Sequence, residues 1–127
     1  MYQSEFCNVS YIQEINVVYV EWKKFCCDKN YREPLLYAIN IMKANANCHY
    51  VADTRKGFEN EEADTQWVFN EFIPLAAAAG CKYIFFIINP DNSLKEELEG
   101  QSVELNKFFR VIACYSLDEV KQILGNQ

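Results

Sequence analysis

Tyr83-Ile84-Phe85-Phe86-Ile87-Ile88 is apolar at every position. A surface strand alternates apolar and polar residues, and a surface helix spaces its apolar residues three and four apart. An unbroken run of six is instead the pattern of a central parallel strand covered on both faces. Parallel neighbours need crossover connections, so helices are expected on either side of this segment in the chain.

The residues upstream meet that expectation. Phe69, Phe72, Ile73 and Ala76 mark one face of a helix beginning near Asp64, which Pro74 must kink or restart and Gly80 ends. Before it, Cys48 to Thr54 reads as a strand, followed by a turn with an acidic cluster from Gly57 to Asp64. Leu35, Ala38, Ile39 and Met42 form an earlier amphipathic face, capped by Asp28 or Asn30, with Pro34 in the first turn and Asn45 to Asn47 as the stop. The chain opens with strand-like runs from Phe6 to Ile12 and from Ile15 to Trp22, joined as a hairpin across Gln13 and Glu14.

Downstream, Asn89-Pro90-Asp91-Asn92 is a turn. Ser93-Leu94-Lys95-Glu96 has the capping-box pattern and opens a third helix whose end, near Gly100, the spacing leaves open. Phe108 to Tyr115 is a last strand. A second capping box, Ser116-Leu117-Asp118-Glu119, starts a final helix with Leu117, Val120 and Leu124 on one face. The order is β-β-α-β-α-β-α-β-α. It predicts an α/β fold, a single domain over residues 1–127, with a mixed, mostly parallel sheet of about five strands and helices packed on it.

With 127 residues, half of them hydrophobic, the chain can bury a core without disulfides or metals. Eighteen acidic and 12 basic residues give a net charge of −6, which disfavours nucleic acid and anionic membrane as partners. Cys7, Cys26, Cys27, Cys48, Cys81 and Cys114 form no C-x-x-C pair, and Met1 to Glu5 has no signal-peptide character. The expectation is a soluble cytoplasmic protein with reduced thiols. No apolar run approaches the ~20 residues of a membrane span.

At this level of detail the chain resembles the STAS domains, the sporulation anti-anti-sigma-factor-like fold, and in particular small bacterial STAS-like proteins. The likeness is carried by a strand ending in Trp22, by Tyr31-Arg32 opening the first helix, and by Val51-Ala52-Asp53 closing the next strand. It continues through Trp67, the mid-helix Pro74, Gly80-Cys81-Lys82 before the apolar strand, and Tyr115-Ser116-Leu117-Asp118-Glu119. It covers most of the chain, from about Trp22 to Leu124. What it implies is regulation by binding a protein partner. Some STAS domains carry a phosphorylatable Ser at the start of the second helix, and the counterpart here is Thr65, after Asp64. The family's small residues at that point are replaced by Thr65-Gln66-Trp67, and phosphorylation would add charge beside Glu59, Glu61, Glu62 and Asp64. The alternative is that Asp64 or Thr65 caps the helix.

The residues themselves supply no phosphate loop, nucleophile elbow or metal-ligand spacing, and His49 is the only histidine. No catalytic residue, metal or cofactor is therefore assigned. Ligands of parallel sheets collect outside the carboxyl ends of the strands. Asp53-Thr54-Arg55 falls at such an end, beside Asn89 and Asp91 at the end of the next strand. Arg55 offers a fork for a carboxylate or phosphate. The candidate binding residues are thus Asp53, Thr54, Arg55, Asp64, Thr65, Trp67, Asn89 and Asp91. The expected function is a non-enzymatic regulatory module binding a protein partner or a second copy of itself, as a homodimer. The alternative is a module for a small apolar molecule or lipid, suggested by Phe58, Trp67, Phe69, Phe72 and the small residues Ala76 to Ala79. An enzyme using Asp53 or a carboxylate of the acidic turn as a general base is the third reading.

Overall fold

A computed structural model of the chain describes residues 1–24, 26–56, 62–89 and 107–125. The turn residues Phe58, Glu59 and Glu61, the candidate Asp91, and the helix expected from Ser93 lie outside the described residues.

Strand β5, Tyr83–Ile87, is the apolar run, and it is buried on both faces. It lies between two parallel neighbours, β4 (His49–Asp53) and β6 (Arg110–Cys114). Beyond β4 come β3 (Val17–Trp22), parallel to it, then β2 (Cys7–Ile12) and β1 (Tyr2–Gln3), both antiparallel. The result is an α/β fold on a mixed six-stranded sheet in the order β1-β2-β3-β4-β5-β6. The expected mixed sheet is present, with one strand more than anticipated. That strand, Tyr2–Gln3, is two residues long and pairs with Val9 and Asn8.

The two faces are covered differently. Helix α1 (Lys29–Ala44) and the segment formed by α2 (Glu62–Trp67), a π-helical turn (Val68–Phe72) and α3 (Ile73–Ala78) lie on the same face. Leu35, Ala38, Ile39, Met42, Phe72, Ile73 and Ala76 pack there on Val18, Val20, Tyr50, Ala52, Ile84 and Phe86. Helix α4 (Leu117–Gly125) covers the other face, where Val120 meets Val17, Val51, Phe85, Ile87 and Cys114. Alternation along each strand sorts the side chains between these layers. Both crossovers from β3 to β5 thus share one face and one hand, as right-handed connections between successive neighbours must.

Several local expectations are adjusted by specific interactions. Helix α1 begins at Lys29, so Pro34 falls in its second turn, and the Asp28 side chain makes no capping bond. Instead the Asp28 carbonyl accepts the N–H groups of Tyr31 and Arg32, at 3.1 and 2.8 Å. Pro74 does restart its helix: lacking an N–H, it interrupts the ladder, and Ile73 N–H donates to Val68 five residues back. Gly80, at φ +97°, makes the stop. The hairpin turn occupies Gln13 to Asn16, with Asn16 at φ +53°, and so absorbs Ile15. Tyr11 Oη donates to Asn16 Oδ1 at 2.7 Å, and Asn16 Nδ2 donates to the Ala46 carbonyl at 2.9 Å, which holds that conformation. The second capping box forms: Ser116 Oγ accepts Glu119 N–H at 3.3 Å, while the Glu119 carboxylate accepts Tyr115 N–H at 2.8 Å. No disulfide joins any of the six cysteines, all of which are among the described residues.

Phe85 is fully buried between β4, β6 and α4. Phe85→Ala is expected to cost about 3–5 kcal/mol, read as a lowered urea midpoint with the slope of the transition unchanged.

Candidate functional site

The carboxyl ends of the parallel strands form a row in which Glu21, Asp53, Ile87 and Cys114 stand in register. Asp53 is the last residue of β4 and is only 3% exposed. By alternation it lies on the α4 side of the sheet, as Val51 does. Tyr19, two residues before Glu21 on β3 and on the same side, donates its hydroxyl to Asp53 Oδ2. Arg55 wraps back onto the same carboxylate. Its backbone N–H and its Nε donate to Oδ1 at 3.1 and 3.0 Å, and its Nη2 donates to Oδ2 at 2.7 Å.

This arrangement sets the charges. Burial pushes the Asp53 carboxyl up, but the hydrogen bonds from Arg55 and Tyr19 outweigh it and hold the group below its ordinary range. Tyr19 is pushed well above the usual phenol value by burial and by the carboxylate it serves. The backbone around the pair is pinned as well. Thr54 N–H and hydroxyl both donate to the Ile87 carbonyl, at 2.9 and 2.8 Å, and Asn89 Nδ2 donates to the Arg55 carbonyl at 2.8 Å. Lys56 stands 3.9 Å from Glu21, an exposed pair of little energetic weight.

Asp64, Thr65 and Trp67 belong to a second group. Asp64 is fully buried inside α2 rather than at its cap. Its Oδ2 accepts Asp28 N–H at 3.0 Å, and its Oδ1 accepts Arg32 Nε at 2.9 Å. That carboxylate accounts for Asp28 being held at φ +50°, an unfavourable backbone for a residue with a side chain. The Arg32 guanidinium lies 5.6 Å over the Trp67 ring, and the next residue back, Tyr31, stacks on Trp22 at 4.9 Å. Thr65 is half-buried in the same turn of α2. So Trp22, Tyr31, Arg32, Asp64 and Trp67 converge on one locus, where α1 and α2 meet the end of β3.

The structure therefore brings together Asp53, Thr54, Arg55 and Asn89 and keeps Asp64, Thr65 and Trp67 apart from them, on the α1 side. Tyr19 was not singled out from the sequence, and Arg32 entered only through the Tyr31-Arg32 pair of the resemblance, not as a site residue. A signal for Tyr19 existed only in its parity with the strand's inward positions, since its reach to Asp53 depends on the β3–β4 register. His49 lies at the opposite end of β4, about 13 Å from Asp53 at strand rise. Its ring is half-buried edge-on against Tyr83, and burial, with Lys82 nearby, lowers its pKa. It cannot pair with Asp53 in a proton relay.

No protein-family model matches this chain, and no curated protein matches it. Among the described residues no helix is long and apolar enough to cross a membrane, and no three His, Cys, Asp or Glu side chains group as metal ligands.

Because the folded-state pKa of Asp53 lies below its unfolded value, its contribution to stability is complete above about pH 4 and is lost as pH falls through the folded value. Asp53→Asn is expected to destabilise the protein by about 1–3 kcal/mol at neutral pH, with the gap to the parent narrowing in acid. Urea unfolding of both proteins across pH checks this.

Proposed function

We propose that this chain is a non-enzymatic regulatory module of STAS-like type that binds a protein partner in the cytoplasm through the rim at the carboxyl ends of β3, β4 and β5. The observation that carries the proposal is the state of the Asp53 carboxylate. Arg55 and Tyr19 occupy both of its oxygens and hold it charged, which is the opposite of a general base tuned toward neutrality. The rim is instead an ordered polar surface, with Arg55, Lys56, Asn89 and Glu21 presented around a buried support.

Topology favours a surface over a cavity. Ligand crevices in open α/β sheets form where successive crossovers pass to opposite faces. Here α1 and the α2–α3 segment cover the same face, so no such crevice opens at the end of β4. Ala76, one of the small residues that suggested room for an apolar molecule, is fully buried against the sheet in the core. The convergence of Trp22, Tyr31, Arg32 and Trp67, four of the residues that carry the STAS resemblance, is in keeping with the family reading.

Photo-crosslinking in the source cell tests the surface. A photoreactive residue at Lys56 is expected to capture one discrete protein, a second copy of this chain included, whereas one at Lys43, exposed at the far end of α1, captures none. Identical adduct patterns from the two positions, or none from either, would overturn the proposal.

A further inference from the structure

We infer that Arg55 is the anchor of this rim and receives a carboxylate from the partner, a step that rests on the partner-binding reading above. A guanidinium is planar and has two donor edges suited to an oxyanion. Asp53 takes the edge formed by Nε and Nη2, in a side-on bidentate pair. Nη1 and the second Nη2 hydrogen, which form the end-on edge, lie outside that pair, with the Tyr19 hydroxyl also against the guanidinium. The Arg55 side chain is 40% exposed while that of Asp53 is 4% exposed, so the pair has a buried supporting half and an open presenting half.

This is a preorganised receptor. A free surface arginine loses about 2 kcal/mol of rotamer entropy on being fixed by a ligand. Arg55 has lost most of that freedom in the fold, since Asp53 grips its head and Asn89 grips its carbonyl. The Thr54 bonds to Ile87 fix the preceding residue to β5, so the guanidinium is referenced to a strand covered on both faces.

The neighbouring charges choose the ligand. Asp53 lies directly against the guanidinium, while Glu21, at the end of the neighbouring strand, has Lys56 beside it. The whole chain carries −6. A phosphate dianion brings two charges against the Asp53 carboxylate, whereas a carboxylate brings one charge and the planar geometry that the end-on edge matches. The ligand class is therefore an acidic side chain on a protein.

The test is a titration of the full chain, followed by NMR of the Arg55 Nε–H and the Thr54 and Arg55 backbone amides. The probes are a capped triglutamate peptide, its triglutamine counterpart and inorganic phosphate, at matched ionic strength. Triglutamate is expected to give saturable shifts and triglutamine none. Arg55→Lys, which retains the charge and loses the fork, is expected to weaken triglutamate about tenfold. Unchanged affinity in Arg55→Lys, or no saturable shift in the parent, would overturn the assignment of Arg55. Tighter binding of phosphate than of triglutamate would overturn the assignment of a carboxylate. If either happens while the photoreactive residue at Lys56 still captures its partner, only this inference fails. If that capture is also absent, the partner-binding reading fails with it.

Discussion

Strand β5 constrains everything around it. A strand whose five residues are apolar on both faces can be stable only between two layers, and its backbone N–H and C=O groups must be satisfied by neighbours on both edges. The parallel partners β4 and β6 supply the hydrogen bonds, α1 and α3 cover Ile84 and Phe86, and α4 covers Phe85 and Ile87. With the interior of the sheet committed to apolar packing, polar residues that need fixed positions are displaced to the strand ends. Among the described residues Asp53 and Asp64 are the two carboxylates that stay buried, and each does so with an arginine and a backbone N–H to serve it.

The two carboxylates divide the work between structure and presentation. Asp64 ties the left-handed Asp28 to α2 and sets Arg32 on Trp67, so its contacts join segments that are remote in sequence and are spent within the fold. Asp53 holds an arginine that belongs to the same loop and still reaches solvent. The first is a clasp between helices, and the second is a mount for a charged group at the rim. The two described crossovers, from β3 to β4 and from β4 to β5, stay on one face of the sheet, a geometry that suits a protein surface better than an enclosed small molecule.

How much of this was legible in the sequence follows from the range of the interactions. The apolar run at Tyr83, the amphipathic faces of α1 and α4 and the Ser116 capping box are local patterns, and they placed the strands, helices and parallel order. Asp53 and Arg55, two positions apart, were legible as a candidate site for the same reason. What escaped depends on distant partners or on too few residues. Tyr2–Gln3 is too short to show a period. Asp28 looks like a helix cap until the carboxylate of Asp64 takes its N–H. Tyr19 meets Asp53 only in the observed register, which no single strand encodes.

The role of β5 as the doubly covered centre is most directly tested by native-state hydrogen exchange. The amides of Phe85, Phe86 and Ile87 should be among the slowest in the protein, exchanging only with global unfolding. Exchange of those amides as fast as that of the two-residue edge strand at Tyr2–Gln3 would contradict the sheet order on which the rim and its arginine depend.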